Sequence, residues 1–264
     1  MRLFLVPIST RRALLYCKKL DAHLTKQKRS LIDRLTHRAS ETWAKWEEAE
    51  KGWKKLLVGY GHQVLQRIPY EEWGLKSVPP LSARREAEEL RTHTPVELLY
   101  PRNVIPDSIV LGLLRQIATE RQNLHRKKMW WSIAITPLTA PIALIPLIPN
   151  IPFFYLVYRG WSHWKALSGS KHLQFLLDHK LIKPISLPDL EHIYLKHGKT
   201  ITEKTSRNFA FRVNAEDEAL EEKILVEASD GKQLAKVLDA HELAPEVERA
   251  VYQVKHRLEQ KKNK

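Results

Sequence analysis

MWWSIAITPLTAPIALIPLIPNIPFFYLVY, residues Met129 to Tyr158, runs for thirty positions without a charged side chain. A hydrocarbon core takes about 20 apolar residues of helix to cross, so the run is long enough to enter a bilayer. Basic residues stand at both ends, Arg126, Lys127 and Lys128 before it and Arg159 and Lys165 after it. Tryptophans bracket it as well, Trp130 and Trp131 at the start, Trp161 and Trp164 past the end. Indole rings favour the headgroup layer, so these nine positions read as a membrane-interface set. The competing reading is a buried core segment of a soluble protein.

Five prolines interrupt the run: Pro137, Pro141, Pro146, Pro149 and Pro152. Each removes a backbone donor and crowds the preceding turn. Pro149-Asn150-Ile151-Pro152 is a turn signal in its own right, which makes Pro149, Asn150 and Pro152 the expected hairpin turn. Two arms then follow, about 129–148 and 151–167. Positive residues at both ends fit a hairpin whose flanks share one side of the membrane. A single kinked span is the alternative.

The rest of the chain is highly charged. Its 264 residues hold 44 basic and 30 acidic side chains, a formal net charge of +14. Residues 1–128 carry 25 of the bases and 14 of the acids, net +11, which points to an acidic partner such as anionic headgroups or nucleic acid. A single cysteine, Cys17, excludes an internal disulfide framework and a cysteine-based zinc cluster. The opening MRLFLVPISTRRALLYCKKL has five basic residues and no acid, the composition of a mitochondrial import segment.

From Leu20 to about Val58, apolar residues including Trp43, Trp46 and Trp53 recur at helical spacing. Ser82 opens a short charged helix, ARREAEEL, and Thr94-Pro95 opens another expected helix, PVELLY. Residues 107–128 read as an amphipathic helix leading to the apolar run. After it, prolines 184 and 188 divide short expected helices, and two helical patterns, about 231–242 and 245–260, close the chain. The acidic patch at Glu216 to Glu222 reads as a solvated helix face, since it lacks the alternating ligands and central glycine of a calcium loop.

No motif for chemistry emerges. There is no phosphate loop, dinucleotide fingerprint, HExxH or nucleophile elbow. His163, between Trp161 and Trp164, reads as a packed or interfacial histidine rather than a ligand. The expectation is a protein that is not an enzyme, with no catalytic residue, metal site, cofactor or small-molecule substrate.

Two stretches carry a family resemblance: PNIPFFYLVYRGWSHWKALSGSKHLQFLL (149–177) and MRLFLVPISTRRALLYC (1–17). Together they resemble the mitochondrial K+–H+ exchange-related family over about residues 1–198. The resemblance implies an inner-membrane protein linked to matrix potassium homeostasis. It also implies functional overlap with the leucine zipper/EF-hand transmembrane proteins and contact with the mitochondrial ribosome. A proton-coupled exchanger normally carries an ionisable residue within the membrane, and none lies between Lys128 and Arg159. A component or regulator of K+/H+ exchange therefore fits better than a lone exchanger, with a membrane-anchored ribosome-associated or assembly factor as the alternative.

The expected fold is mainly α: amphipathic helices around a Pro-broken membrane hairpin or kinked span, with a helical C-terminal tail. Strand is expected at most around Leu3 to Ile8. The expected divisions are a basic N-terminal region (1–128), the membrane hairpin (129–167), a post-membrane helical segment (168–198) and a hydrophilic helical tail (199–264). Expected partners are inner-membrane lipids, an oligomer or other exchange-system subunits, and the mitochondrial ribosome, with the bulk of the chain facing the matrix.

Overall fold

The computed structural model describes residues 1–18, 67–139, 151–196 and 222–263. The chain divides into two units, Met1–Lys19 with Tyr70–Lys264, and Leu20–Pro69; the sheet and helices that follow belong to the first. The tryptophan-bearing helix expected over residues 20–58, and Pro149 and Asn150 of the expected turn, lie outside the described residues.

The fold is mixed α/β, which corrects the mainly α expectation. A four-stranded sheet has the order β2-β1-β3-β4. Strand β1 (Arg2–Pro7) and β2 (Ala13–Lys18) form an antiparallel hairpin, with Arg2 opposite Lys18 and Pro7 opposite Ala13. β1 pairs in parallel with β3 (Val96–Tyr100), and β3 in parallel with β4 (Ile182–Ser186). The basic opening segment is thus part of the sheet. Leu3, Leu5, Leu14 and Leu98 are fully buried, each contributing about 1.5–3 kcal/mol.

The two later strands escape the sequence pattern for different physical reasons. β3, in the expected helix PVELLY, buries Val96, Leu98, Leu99 and Tyr100. Covered on both faces, such strands lack the alternating pattern of a half-exposed strand, and five residues are too few for periodicity to separate strand from helix. Glu97 is answered across the register by Arg2, Nε to Oε2 2.7 Å. β4 contains Pro184, which cannot donate to a ladder; it is tolerated because β4 is an edge strand.

Helix α1 (Tyr70–Ser77) lies between β2 and the long helix α5 (Ile151–Asp178). Two glycines allow this. A Cβ on Gly74 would sit 2.5 Å from the Leu15 carbonyl oxygen, and one on Gly169 would sit 2.1 Å from that of Leu75. Helix α2 (Ala83–Thr92) starts where expected, its amide at Arg85 donating to Ser82 Oγ. The expected amphipathic helix over 107–128 is two elements, α3 (Asp107–Thr119) and the beginning of α4 (Gln122–Thr139). α5 runs antiparallel to both: Ser170 Oγ donates to the Ala118 carbonyl, and His163 meets His125. After β4 come α6 (Pro188–Lys196), a short 3₁₀ turn (Ala228–Asp230), α7 (Gly231–Val237) and α8 (Leu243–Lys262). Within residues 222–263, Leu225, Leu234, Leu243, Val247 and Val254 join the main core.

The expected membrane-spanning hairpin or kinked span is also corrected. Among the described residues no helix is long and apolar enough to cross a membrane. The described apolar stretches are residues 129–139 of α4 and 151–158 of α5, each far short of about 20 residues. Pro152 sits in the first turn of α5, a position proline tolerates. Beyond Tyr158 the helix changes character: Arg159, Ser162 and His163 turn inward to a buried acid.

Candidate functional site

That acid is Glu72 on α1. Its neighbours come from three elements: Lys76 on α1, His125 on α4, and Arg159, Ser162 and His163 on α5. Glu72, His125 and His163 are 1%, 1% and 2% exposed. Arg159 grips Glu72 with two bonds, Nη1 to Oε1 2.9 Å and Nη2 to Oε2 3.1 Å. Ser162 Oγ donates to Oε1 at 2.6 Å, and Lys76 Nζ donates to Ser162 Oγ at 3.0 Å. Such charge-assisted contacts are what a buried carboxylate requires. Burial alone would raise the Glu72 pKa, but the Ser162 hydroxyl and Arg159 together hold it below the usual carboxylate range. Burial pulls Lys76 down to about 8, against the attraction of Glu72.

The histidines have a defined hydrogen-bond order. Arg159 Nη2 lies 3.0 Å from His163 Nε2, and a guanidinium only donates. His163 Nε2 therefore accepts, and its proton sits on Nδ1. That nitrogen is 3.0 Å from His125 Nδ1, which must then be the acceptor, leaving the His125 proton on Nε2. His125 Nε2 is buried with no hydrogen-bond partner among the described residues. The chain runs Arg159 to His163 to His125 and ends in an unanswered donor. Burial, chiefly, pulls both imidazoles down to about 4, so they are neutral near pH 7.

Glu72, His125 and His163 offer three ligand atoms within 4.8 Å of one another, which raises the question of a metal. The surroundings do not fit one. Metal on His163 Nδ1 would put its remaining proton on Nε2, facing the Arg159 donor. The only carboxylate is already bound twice by Arg159, with Lys76 4.0 Å away. A dication would add to a seam that already holds two cations against one acid. The seam continues toward α8, where Glu246 pairs with Arg249 and burial pushes Glu246 up to about 7.

The nine expected interface residues fall into two groups. Arg126, Lys127, Lys128, Trp130, Trp131 and Trp164 are exposed, with Trp130 and Trp131 at 61% and 67%. Arg159 is turned to Glu72, while Trp161 is half-buried with Lys165 over its ring, 5.2 Å from the centroid. Further apolar side chains are exposed along the same helix pair, among them Ile133, Leu138, Phe154 and Val157. No acidic residue occurs from Arg121 to Leu177. The contacts of Glu72, Lys76 and His125 are absent from the sequence reading. Only the i, i+4 spacing of Arg159 and His163 hints at a shared helix face; their partners on other elements lie 38 or more positions away.

Fold and site define a mixed α/β protein with an ionic seam at the base of a paired-helix element whose outer side is apolar and basic. Residues 2–177 match the family described as mitochondrial K+-H+ exchange-related, and the chain belongs to that family. Among its relatives is an uncharacterised protein of Schizosaccharomyces pombe, 32% identical over 173 residues, or 66% of this chain and 74% of that one. Another, from Saccharomyces cerevisiae, is 25% identical over 201 residues, or 67% of this chain and 63% of that one. No solved structure matches. The family description relates the chain to mitochondria and to K+–H+ exchange; β4 and everything after it lie beyond the matched residues.

Proposed function

We propose that the protein is a non-enzymatic component or regulator of mitochondrial K+/H+ exchange and matrix potassium homeostasis, held at the inner membrane with most of its chain in the matrix. Family membership supports the link to exchange. The observation that supports the membrane as partner is the outer side of α4 and α5. Large exposed apolar side chains mark interaction surfaces, and here Trp130 and Trp131 adjoin exposed Arg126, Lys127 and Lys128, with Leu138 and Phe154 exposed further along the helix pair. Aromatic residues beside bases, without acids, complement anionic headgroups. The contact proposed is at headgroup depth, on the membrane surface. The ion path belongs to another subunit, and this chain adjusts or supports it. The alternative, a ribosome-associated factor, draws on the family resemblance and on the basic charge of residues 1–128, net +11.

Flux measurements test the assignment. The purified full chain in liposomes is expected to give no potassium-driven proton flux above empty vesicles. Robust electroneutral exchange by the protein alone would overturn the role of component or regulator.

A further inference from the structure

The hydrogen-bond directions in the buried seam define what it can and cannot bind. While Arg159 is in place, an additional proton on the histidine pair meets another donor at either open nitrogen. A proton on His163 Nε2 would face the guanidinium. One on His125 Nδ1 would face the N–H of His163. The charged groups acting on the pair are Glu72 on α1, Arg121 just before α4, Lys128 on α4 and Arg159 on α5, with Lys76 of α1 behind Ser162. Glu72 is the single negative charge among them. Its Oε2 lies 3.7 Å from His163 Nδ1, yet its charge is taken up by Arg159.

We propose that Glu72, His125 and His163 form a proton-binding site which Arg159 keeps empty. Drawing the guanidinium off Glu72 leaves a buried carboxylate beside two basic nitrogens. Only Ser162 Oγ and Lys76, 4.0 Å away, then answer the carboxylate; an under-compensated buried charge is costly, and neutralisation by a proton relieves it. One cation leaves and one arrives. A proton from solvent adds to the bare Nε2 of His163, and the His163 Nδ1–H turns from His125 to Glu72 Oε2. No other covalent bond changes. His125 Nδ1 is then free, and the ring is released from the pair. The arrangement exchanges a guanidinium for a proton at the joint between α1, α4 and α5. It holds whether or not the outer helix surface meets lipid.

Nitrogen-15 histidine NMR on the full chain tests this. In the wild type, His163 is expected as the Nδ1–H tautomer and His125 as the Nε2–H tautomer, with neither ring taking a further proton until the pH approaches about 4. In Arg159→Gln, the pair is expected to take up one proton with its midpoint raised by about one to three pH units. Adding Glu72→Gln to that variant should return the midpoint to the wild-type position. An unchanged midpoint in folded Arg159→Gln overturns the proposal. So does an Nε2–H tautomer for His163 in the wild type, a result that needs no variant to fold.

Discussion

At residue scale, the sharpest sequence-to-structure link is Gly169. Its position in the middle of α5 looks like a weakness, because glycine costs about 1 kcal/mol relative to alanine in a helix interior. The structure explains it: a Cβ there would meet the Leu75 carbonyl at 2.1 Å, and backbone cannot yield as a flexible side chain can. Gly169→Ala is expected to destabilise by about 1–3 kcal/mol. Gly112 in α3 has nothing within 4 Å of the same built atom, so Gly112→Ala is expected to stabilise by about 0.5–1 kcal/mol. Denaturant unfolding of both variants checks the pair, and similar effects would mean that α1 and α5 are not so closely apposed. Other residue roles were hidden for a different reason. Arg159 ends the apolar run, so charge patterning puts it at a membrane interface; its Glu72 partner is 87 positions away. His172 is equally opaque in sequence, yet it is fully buried and joins the Pro79 carbonyl to the Glu89 carboxylate. Long-range pairings of this kind leave no spacing to read.

Elements with strong local signals were legible. Ser82 marks the start of α2, Leu3–Ile8 brackets most of β1, and the helical patterns near the C-terminus correspond to α7 and α8. β3 and β4 were not, because short buried strands and one proline-bearing edge strand lack a period-2 pattern. The apolar run was legible as unusual but not as an element: residues 129–139 and 151–158 belong to two helices that continue into polar, buried contacts. The exposed side of those helices has its own test. Full-length protein is expected to float with vesicles rich in anionic lipid and to be released as salt rises, since exposed charge attraction is screened over about 10 Å at 0.1 M. Trp130→Ser with Trp131→Ser should cut vesicle binding at least about tenfold, given about 1.5–3 kcal/mol for burying even one large apolar side chain, while leaving unfolding unchanged. Equal flotation of the variant would remove this surface from the contact.

At the scale of the whole molecule, the sheet joins segments that are remote in sequence. β1 and β2 come from the first 18 residues, β3 from Val96–Tyr100 and β4 from Ile182–Ser186. Residues 222–226 run beside the β1–β2 connection, Leu225 N donating to the Ile8 carbonyl at 2.9 Å. α8 holds α1 through Gln253, whose Oε1 accepts from the Tyr70 amide at 3.1 Å. The basic opening segment, α5 and the C-terminal helices therefore share one core, and the ionic seam lies where α1 meets α4 and α5. In the proposed function, this assembly supports mitochondrial potassium–proton exchange through its exposed α4–α5 surface. Potassium-dependent swelling of isolated mitochondria lacking the protein, each line restored with either the wild type or the Trp130→Ser, Trp131→Ser variant at equal abundance, measures it directly. Altered swelling is expected without the protein, normal swelling with the wild type, and little restoration by the variant. Normal swelling without the protein, or full restoration by the variant, would contradict it.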